Sequence, residues 1–524
     1  MVDNVIKPYI TKDEPFGPID STDIDSKDVE ALQKLFEQHN WVYRNMRHRP
    51  SIIMGRKGSG KTSYLRTVFF DKKYDFHTEI RTAHALEHIS KVIQGMAREA
   101  VFPETLAELW EMILWTCVLS EIRRYPLLAP DKLNLVSVYL EKMGVRDTST
   151  VDDVLWKLAG IFDQAMEEHP NESIAEILKR FDRVTFDNAT LAVVDGLKAA
   201  DKNFVILMDS LDDFQLDIES VSNSLKGLLK FVGSMNKPRD VVDIRFCLPT
   251  ELYRRIIKIS SNPNKDFRRS LKLQWTASEL ILIGAQRLML YLELFYPEYL
   301  RRLLPLDPTG RADALKLFQT VLPKTITNQA GFQEETISYI LRHTQLLPRH
   351  LLMLLNSIFK GGGGTQSLNP FPVSEKRIIS GIRQVEERIV NEIFVAFKLI
   401  HPSAEGVCKR CIPELGHKFS VGELHQVYTR RGKAVFDGDN LFEFQRMLME
   451  IGAMGRVIKG RATDIYIQGN FEYTVDHEIA ISHDDELCIH PLFSGIFGND
   501  QHDRPVYPYG CGLEDEDYRE KYED

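Results

Sequence analysis

The residues with the clearest chemical meaning form a glycine-rich stretch, GRKGSGKT, which runs from Gly55 to Thr62 and matches the pattern G-x-x-x-x-G-K-[ST]. Glycines in such a loop let backbone N–H groups turn towards phosphate oxygens with no Cβ in the way, and the N-terminus of the following helix favours an anion. The Lys61 side chain can reach β- and γ-phosphates, and the Thr62 hydroxyl can ligate Mg²⁺. The pattern therefore predicts an ATP-binding site. Its predicted nucleotide-binding residues are Gly55, Arg56, Lys57, Gly58, Ser59, Gly60, Lys61, Thr62 and Ser63.

A second group of chemically meaningful residues follows an apolar run in FVILMDSLDD, which begins at Phe204. An apolar strand that ends in an aspartate places the carboxylate at the crevice where ligands bind in open α/β sheets. We therefore expect Asp209 to hold Mg²⁺ together with Thr62. Ser210 stands where a common ATPase pattern has a glutamate that polarises water. The alternative for Asp209 is an ordinary loop or N-cap aspartate, which the phosphate loop makes the weaker interpretation.

The stretch DSLDD, residues 209–213, resembles the signature of the signal-transduction ATPases with numerous domains, NACHT-type members included. In those proteins an aspartate is followed by a small residue, an aliphatic residue and a further acidic pair. The wider resemblance is to AAA+-like ATPases of the origin-recognition and bacterial defence kind, and it covers about residues 50–360. The resemblance implies that Asp212 or Asp213 positions or activates the attacking water.

The same resemblance implies roles for two further polar side chains. Thr250 follows the predicted strand VVDIRFCL, where such ATPases have a residue that senses the γ-phosphate. Arg349, in LLPRHLLMLLNSI, is similar to the arginine that reaches from a helical lid back to the phosphates. Pro348 suits a first helical turn and leaves Arg349 near the start of that helix. The alternative is an ordinary surface arginine.

Four arginines after the strand VVDIRFCL are candidates for contacting the γ-phosphate of a neighbouring subunit: Arg254, Arg255, Arg268 and Arg269. The preferred pair is Arg268 and Arg269, in KDFRRSLKLQW, because an arginine supplied in trans stabilises the charge that develops in phosphoryl transfer. Solvated arginines on a helix are an equally good interpretation of the same residues.

The composition is that of an ordinary globular chain of 524 residues, with a net charge of −9 that argues against non-specific coating of nucleic acid. The N-terminal residues MVDNVIKPYITKDEPFG lack the basic and apolar regions of a signal peptide. The most apolar run, LILIGAQRLMLYLELF, contains Arg287 and indicates a buried amphipathic helix and no bilayer span. We therefore expect a cytoplasmic protein with no membrane partner.

Strand candidates at SIIM (51–54), NFVILMD (203–209) and VVDIRFCL (241–248) have helical patterns between them, which indicates a parallel sheet with crossover helices. The predicted fold class is α/β: a P-loop NTPase parallel-sheet core with a large helical insertion, a helical lid and a C-terminal winged-helix domain. The expected domains are an N-terminal arm and helix (1–46), the ATPase core (47–270, with the helical insertion at about 84–200), the lid (271–360), a glycine-rich linker and long helix (361–402), a winged-helix-like domain (403–497) and an acidic tail (498–524).

The C-terminal domain is predicted from FSVGELHQVYTRR and FEFQRMLMEIGAMGRV as helices and DIYIQGNFEYT as a strand or hairpin. A modest set of basic residues could contact nucleic-acid phosphates there: Arg430, Arg431, Lys433, Lys459 and Arg461. Winged helices also serve as packing and oligomerisation modules, and the acidic chain favours that interpretation.

A lone C-x-x-C motif joins Cys408 and Cys411, with His401 and His417 nearby. A zinc site needs a second ligand pair at matching spacing, and the sequence has none there. Two reduced thiols are the expected state.

These features together predict an ATPase that binds ATP and Mg²⁺ and acts as a switch, controlling its own assembly as a homo-oligomer or a separate effector protein. By the resemblance alone, bacterial antiphage defence is the expected setting. Two alternatives stay open. One is an initiator- or transposition-type ATPase that binds DNA through the winged helix, and the other is a scaffold that binds ATP without hydrolysing it.

Overall fold

The structure is a computed structural model that describes residues 3–38, 43, 49–71, 73–82, 85–87, 89–90, 102–169, 172–209, 219–235, 241–260, 262–303, 306–328, 330–361, 371–460, 466–474, 478–498 and 504–511. The chain divides into two compact units. The core unit comprises Met46–Arg56 and Lys61–Leu273, and the second unit comprises Met1–Asn45, Lys57–Gly60 and Gln274–Asp524.

The core unit is built on a five-stranded sheet in the order β2-β3-β4-β1-β5, with every neighbouring pair parallel. The strands are β1 (Ile52–Gly55), β2 (Phe76–Ile80), β3 (Phe204–Met208), β4 (Val242–Pro249) and β5 (Ser270–Leu273). All residues of β1, β3 and β4 are buried, as expected for inner strands that helices cover on both faces. This confirms the predicted fold class, an α/β parallel-sheet core of P-loop type with helical insertions.

Helices connect the strands of the core unit. They are α3 (Lys61–Arg66), α4 (Pro103–Ile122), α5 (Pro130–Lys142), α6 (Val151–Glu168), α7 (Ile174–Arg180), α8 (Arg183–Ala199), α9 (Glu219–Met235), α10 (Tyr253–Ile259) and α11 (Pro263–Asp266). Helices α4 to α8 fall within the predicted helical insertion. Local chemistry sets several of their starts: Thr150 with Asp153 forms a capping box before α6, and Ser173 with Glu176 forms one before α7.

The second unit contains most of the remaining helices: α1 (Asp3–Ile6), α2 (Val29–Leu35), α12 (Ala277–Phe295), α13 (Pro297–Leu303), α14 (Arg311–Val321), α15 (Thr336–Arg342), α16 (Pro348–Phe359) and α17 (Glu375–Phe397). A short hairpin, β6 (Thr325–Thr327) with β7 (Gln333–Glu335), lies before α15. The N-cap of α2 is Asp28, whose side chain accepts from Ala31 N–H. The glycine-rich break at 362–370 lies outside the described residues.

The chain after α17 runs helix, strand, helix, helix, strand, strand, which is the order of a winged helix. These elements are α18 (Ala404–Cys411), β8 (Lys418–Ser420), α19 (Val421–Arg430), α20 (Leu441–Glu450), β9 (Met454–Val457) and β10 (Ile467–Asn470). They are followed by β11 (Glu486–Ile489), α21 (Pro491–Phe497) and β12 (Val506–Pro508), and the sheet order is β12-β10-β9-β11-β8. β12 lies inside the segment predicted as an acidic tail, where it pairs with β10.

The most apolar stretch of the sequence forms α12. Arg287, in the middle of this helix, is buried, and its guanidinium donates to Phe16 O at 3.0 Å. In the part of the chain that the structure describes, no helix combines the length and the apolar character that a membrane span requires.

Candidate active site

The glycine-rich sequence forms a turn between β1 and α3. Gly58 and Gly60 have φ values of +83° and +90°, a conformation that glycine adopts without the strain other residues meet. Lys61 is the first residue of α3 and is only 5% exposed. Its Nζ donates to the carbonyl oxygens of Gly55 at 3.1 Å and Arg56 at 3.3 Å, so the ammonium group lies over the loop that is expected to hold phosphate.

The phosphate loop and the carboxylate after β3 are in direct contact. Thr62 Oγ1 donates to Asp209, with 3.1 Å to Oδ1 and 3.5 Å to Oδ2. A hydroxyl and a carboxylate at this distance are both oxygen ligands of the kind that Mg²⁺ takes. The two residues predicted as metal ligands are therefore adjacent, although 147 positions separate them in the sequence.

Thr250 emerges from the same edge of the sheet. β4 lies between β1 and β3, and its last residue, Pro249, is in register with Gly55 at the end of β1. Thr250 follows directly as the first residue of a 3₁₀ turn, and its Oγ1 is buried without a hydrogen-bond partner in the described part of the protein. A buried hydroxyl without a partner costs free energy, which is consistent with a group that bonds to a ligand.

The residues expected to activate water, Asp212 and Asp213, lie outside the described residues, as does Ser210. A different carboxyl group, Glu79 on β2, is described near Asp209. Part of its side chain is solvent-exposed, yet desolvation of its carboxyl raises the pKa of Glu79. The charge of Asp209 raises this pKa further, while Arg66 and Arg81 lower it.

Two contacts at this site were not predicted from the sequence. Thr82, just after β2, donates from its hydroxyl to the backbone oxygen of Asp209 at 2.5 Å. Trp275 donates from Nε1 to Ser59 O at 2.9 Å, which supports the loop tip within the second unit. Neither residue belongs to a motif. In FHTEI only Thr78 and Ile80 are buried, and one of the two is polar, so the sequence carries no clear apolar pattern that would have located β2 and hence Thr82.

Arg349 is the second residue of α16, as its proline predicts. Its backbone N–H donates to Gly58 O at 3.3 Å, so the start of this helix lies at the loop tip, within the second unit. The guanidinium donates to the Asp20 carboxylate, and its NH1 lies 4.0 Å from Glu392 Oε2.

The comparisons with known proteins leave the family open. No protein-family model matches the sequence, and no curated protein matches it. Among solved structures, the chain is similar to the Aeropyrum pernix ORC2 protein in its ADPNP–ADP complexes, with 12% identity, 89% of each chain covered and a TM-score of 0.33. Similarity at that level carries no argument. The fold class therefore rests on the sheet order, and the function rests on the residues of the site.

The candidate arginine pair has two different environments. Arg268 is exposed, whereas Arg269 lies 3.5 Å from the buried carboxylate of Asp243 and donates to Arg49 O. Tyr74 also donates to Asp243, at 2.8 Å, so Arg269 is part of a buried polar cluster within the core unit. Asp243 is near the start of β4, the end of the strand away from Thr250. This placement gives Arg269 a structural role in its own subunit.

Acidic side chains pair with three of the four described basic residues that were predicted to contact nucleic acid in the predicted winged helix. Arg431 donates to Glu414 at 2.6 Å, and Arg430 lies 3.7 Å from the same carboxylate. Lys459 lies 3.8 Å from Asp485. Arg461 is outside the described residues, and Lys433 lies over the Tyr428 ring at 5.7 Å.

The C-x-x-C cysteines lie on α18 and are both buried. Burial raises the pKa of the Cys411 thiol to about 11 and that of Cys408 well above its usual range, so both are protonated near neutral pH. His401 is hydrogen-bonded to Glu450 at 2.7 Å.

A buried acid lies beside a cavity of about 530 Å³ in the second unit. His343 Nδ1 lies 2.7 Å from Tyr339 O, and its Nε2 lies 3.5 Å from Glu386. Burial, together with the charge of Arg342, keeps the pKa of His343 well below its usual value, so the imidazole is neutral. Burial raises the pKa of Glu386 to about 7, against the opposing charges of Arg342 and Arg383. This carboxyl group should therefore make stability depend on pH.

Proposed function

We propose that the protein binds Mg-ATP and hydrolyses it as a nucleotide-dependent switch. The observation that carries the proposal is the 3.1 Å hydrogen bond from Thr62 to Asp209, because it joins the end of the phosphate loop to the carboxylate that follows β3. Lys61 would contact the phosphates, Thr62 and Asp209 would hold Mg²⁺, and Thr250 would sense the γ-phosphate. A bound Mg²⁺ would supply positive charge against the negative charge that develops in phosphoryl transfer, and Asp212 or Asp213 would position the water.

Nucleotide binding is tested with Lys61→Ala, which removes the buried ammonium group that lies over the loop. We expect saturable Mg-ATP binding by the wild type and a loss of at least tenfold in affinity in the variant, the loss typical of a charge-assisted contact to phosphate. Lys202→Ala is the matched control, because it also removes a lysine, and Lys202 forms an exposed ion pair with Asp75, just before β2. Equal binding by wild type and Lys61→Ala would refute the proposed site.

Hydrolysis is tested separately by phosphate release. Neutralising Asp212 and Asp213 together should preserve ATP binding and stop turnover, because water activation is lost and phosphate contacts are retained. If turnover persists in the double variant, Glu79 is the next candidate among the described residues, because its carboxyl senses the charge of Asp209, and Glu79→Gln should then stop turnover. If the wild type releases no more phosphate than Lys61→Ala, with or without partners, the protein is a scaffold that binds ATP without hydrolysing it.

We extend the proposal to a switch that controls assembly of its own copies or a separate effector, with bacterial antiphage defence as its setting. The resemblance of DSLDD to the signal-transduction ATPases supports this extension. Native mass measurement with and without ATP is the test, and we expect a larger assembly in one of the two states. A single mass under both conditions, across the concentration range of the ATPase assay, would contradict control of self-assembly.

The alternative role in DNA binding gains no support from the described residues. Arg430, Arg431 and Lys459 are paired with carboxylates, and α20 carries Glu443 and Glu450 beside its one arginine. We therefore expect no salt-dependent binding to duplex DNA. Binding at low salt that is lost on substituting these three basic residues would favour the alternative.

A further inference from the structure

Arg349, which the resemblance predicts to reach the nucleotide phosphates, is already bound by carboxylates of its own unit. Its NH2 donates to Asp20 Oδ2, and its NH1 lies 4.0 Å from Glu392 Oε2. Its backbone lies at the phosphate loop, where the N–H donates to Gly58 O at 3.3 Å. The side chain is only 20% exposed. Arg349 is therefore beside the loop tip, while its charge is compensated by acidic side chains.

The Asp20 carboxylate is oriented independently of Arg349. Asp20 is the N-cap of the 3₁₀ turn Ser21–Asp23. Its Oδ1 accepts from the backbone N–H of Thr22 at 3.0 Å and from the Thr22 hydroxyl at 2.9 Å. These bonds occupy one carboxylate oxygen and direct the other towards the guanidinium. The local turn thus holds an acceptor in place for Arg349.

The N-terminal segment, residues 5–24, is packed on α16 and carries Asp20 to its position. Phe16 is fully buried, and its ring lies 5.2 Å from the ring of Phe359 in an edge-to-face contact. Phe16 N–H donates to Asn356 Oδ1 at 2.7 Å, and Asn356 Nδ2 donates to Gly17 O at 2.9 Å. The packing of this segment against α16 therefore also places Asp20 beside Arg349.

An open cleft of about 620 Å³ adjoins Arg349 within the second unit. Lys57 of the phosphate loop and Arg388 of α17 also line it, together with Glu387 and Glu392. Arg388 Nε lies 3.4 Å from Glu392 Oε1, so this cation is partly compensated. The cleft gives a phosphate group space near the guanidinium, and its three cationic side chains outnumber its two acidic ones, which favours an anion.

We propose that Asp20, supported by Glu392, competes with the phosphates of a nucleoside triphosphate for Arg349. This inference rests on the proposed nucleotide site. A guanidinium that donates to a carboxylate has fewer donors left for phosphate, so nucleotide binding and the docking of residues 5–24 oppose each other. Linkage makes the effect reciprocal: whatever releases the segment tightens nucleotide binding, and nucleotide loosens the segment by the same factor.

The test measures the affinity of the wild type and Asp20→Asn for Mg-AMP-PNP. Asparagine keeps the oxygen that caps Thr22 and replaces the acceptor for Arg349 with an NH₂ group. We expect about two- to fivefold tighter binding, the range that partly exposed ion pairs give. If Asp20→Asn only damaged the structure, the variant would bind Mg-AMP-PNP more weakly than the wild type. Asp25→Asn is the matched control, because Asp25 caps the neighbouring turn at Lys27 N–H, at 2.9 Å, with no described contact to Arg349.

Two further measurements complete the test. The gain from Asp20→Asn should disappear in an Arg349→Ala background, because the pair no longer exists there. Hydrogen exchange of residues 5–24 in the wild type should accelerate by the same two- to fivefold when Mg-AMP-PNP is added.

The outcomes separate the inference from the proposed function. Wild-type binding with no gain in Asp20→Asn, or a gain that persists without Arg349, would overturn the competition and leave the nucleotide site standing. Exchange of residues 5–24 that does not respond to nucleotide would also overturn it. Absence of saturable binding to the wild type would overturn both proposals.

Discussion

The hydroxyl of Thr62 is the most informative group to remove, because it links the phosphate loop to the carboxylate proposed to hold the metal. Thr62→Val keeps the shape of the side chain and deletes its donor. In the wild type, Thr62 Oγ1 lies 3.1 Å from Asp209 Oδ1, and Thr62 and Asp209 are both half-buried. A hydrogen bond to a charged group contributes about 1.5–3 kcal/mol, and partial exposure places this one near the lower limit. We therefore expect Thr62→Val to lower the free energy of unfolding by about 1.5 kcal/mol.

The same substitution should remove most of the effect of Mg²⁺ on nucleotide affinity, because valine supplies no metal ligand. The assay is titration calorimetry with AMP-PNP, in excess Mg²⁺ and in EDTA. The ratio of the two dissociation constants measures the metal-dependent part of binding. We expect that ratio to fall about tenfold in Thr62→Val, which corresponds to about 1.4 kcal/mol.

Thr62→Ser is the matched control, since it retains the hydroxyl and loses only a methyl group. It should keep both the metal-dependent ratio and most of the stability. A Thr62→Val protein with the wild-type ratio would show that this hydroxyl is no metal ligand, and the proposed role of the Thr62–Asp209 contact would be wrong. Reduced stability with an unchanged ratio would leave the contact a purely structural one.

Two further predictions concern buried charges. Glu386→Gln should raise the free energy of unfolding at pH 8 by up to about 3 kcal/mol, and this gain should vanish near pH 4. The reason is that the pKa of Glu386 is about 7 in the folded protein and 4.5 ordinarily, so the wild type loses stability as the pH rises from 4.5 to 7. Denaturant titrations across this range are the check, and a pH-independent gain would contradict the burial of that carboxyl. Arg269→Ala should cost about 1–2 kcal/mol of stability, since Asp243 loses one of its donors, whereas Arg268→Ala should stay within about 0.5 kcal/mol. Unchanged stability in Arg269→Ala, with loss of concentration-dependent ATPase activity, would restore its interpretation as an arginine acting in trans.

The inner strands of the core sheet could be predicted because burial leaves a local pattern. β1 and β3 are continuous apolar runs, and β4 is mostly apolar although it includes Asp243 and Arg245. Mostly apolar strands of this kind are typical of the interior of a parallel sheet that is covered on both faces. β2 and β5 were not predicted, and both are edge strands. Each has residues exposed on one face, so FHTEI and SLKL carry too few apolar side chains to stand out from loops.

The site was predictable where a motif fixes the spacing and unpredictable where contacts join distant residues. Lys61 and Thr62 follow from the loop pattern, and Asp209 follows from its position after an apolar strand. The contact of Arg269 with Asp243 was not predicted, because the two residues are distant in sequence. A signal was nevertheless present: an aspartate within the apolar run VVDIRFCL must be paired when it is buried, and basic residues are its natural partners.

The composition of the N-terminal segment does not reveal how much of it is buried. A single isosteric substitution is therefore a better test of its contact with Arg349 than removal of the segment. Its prolines and acidic residues indicate an extended arm, yet its apolar residue Phe16 is fully buried. Arg287 donates to Phe16 O at 3.0 Å, and burial lowers the pKa of Arg287 only to about 10, so the guanidinium stays charged at neutral pH. Deleting the segment would remove that acceptor and uncover the apolar surface beneath Phe16, so affinity and stability would change together. Asp20→Asn alters the contact with Arg349 alone, and a gain in affinity without a loss of stability can then be assigned to competition for the arginine.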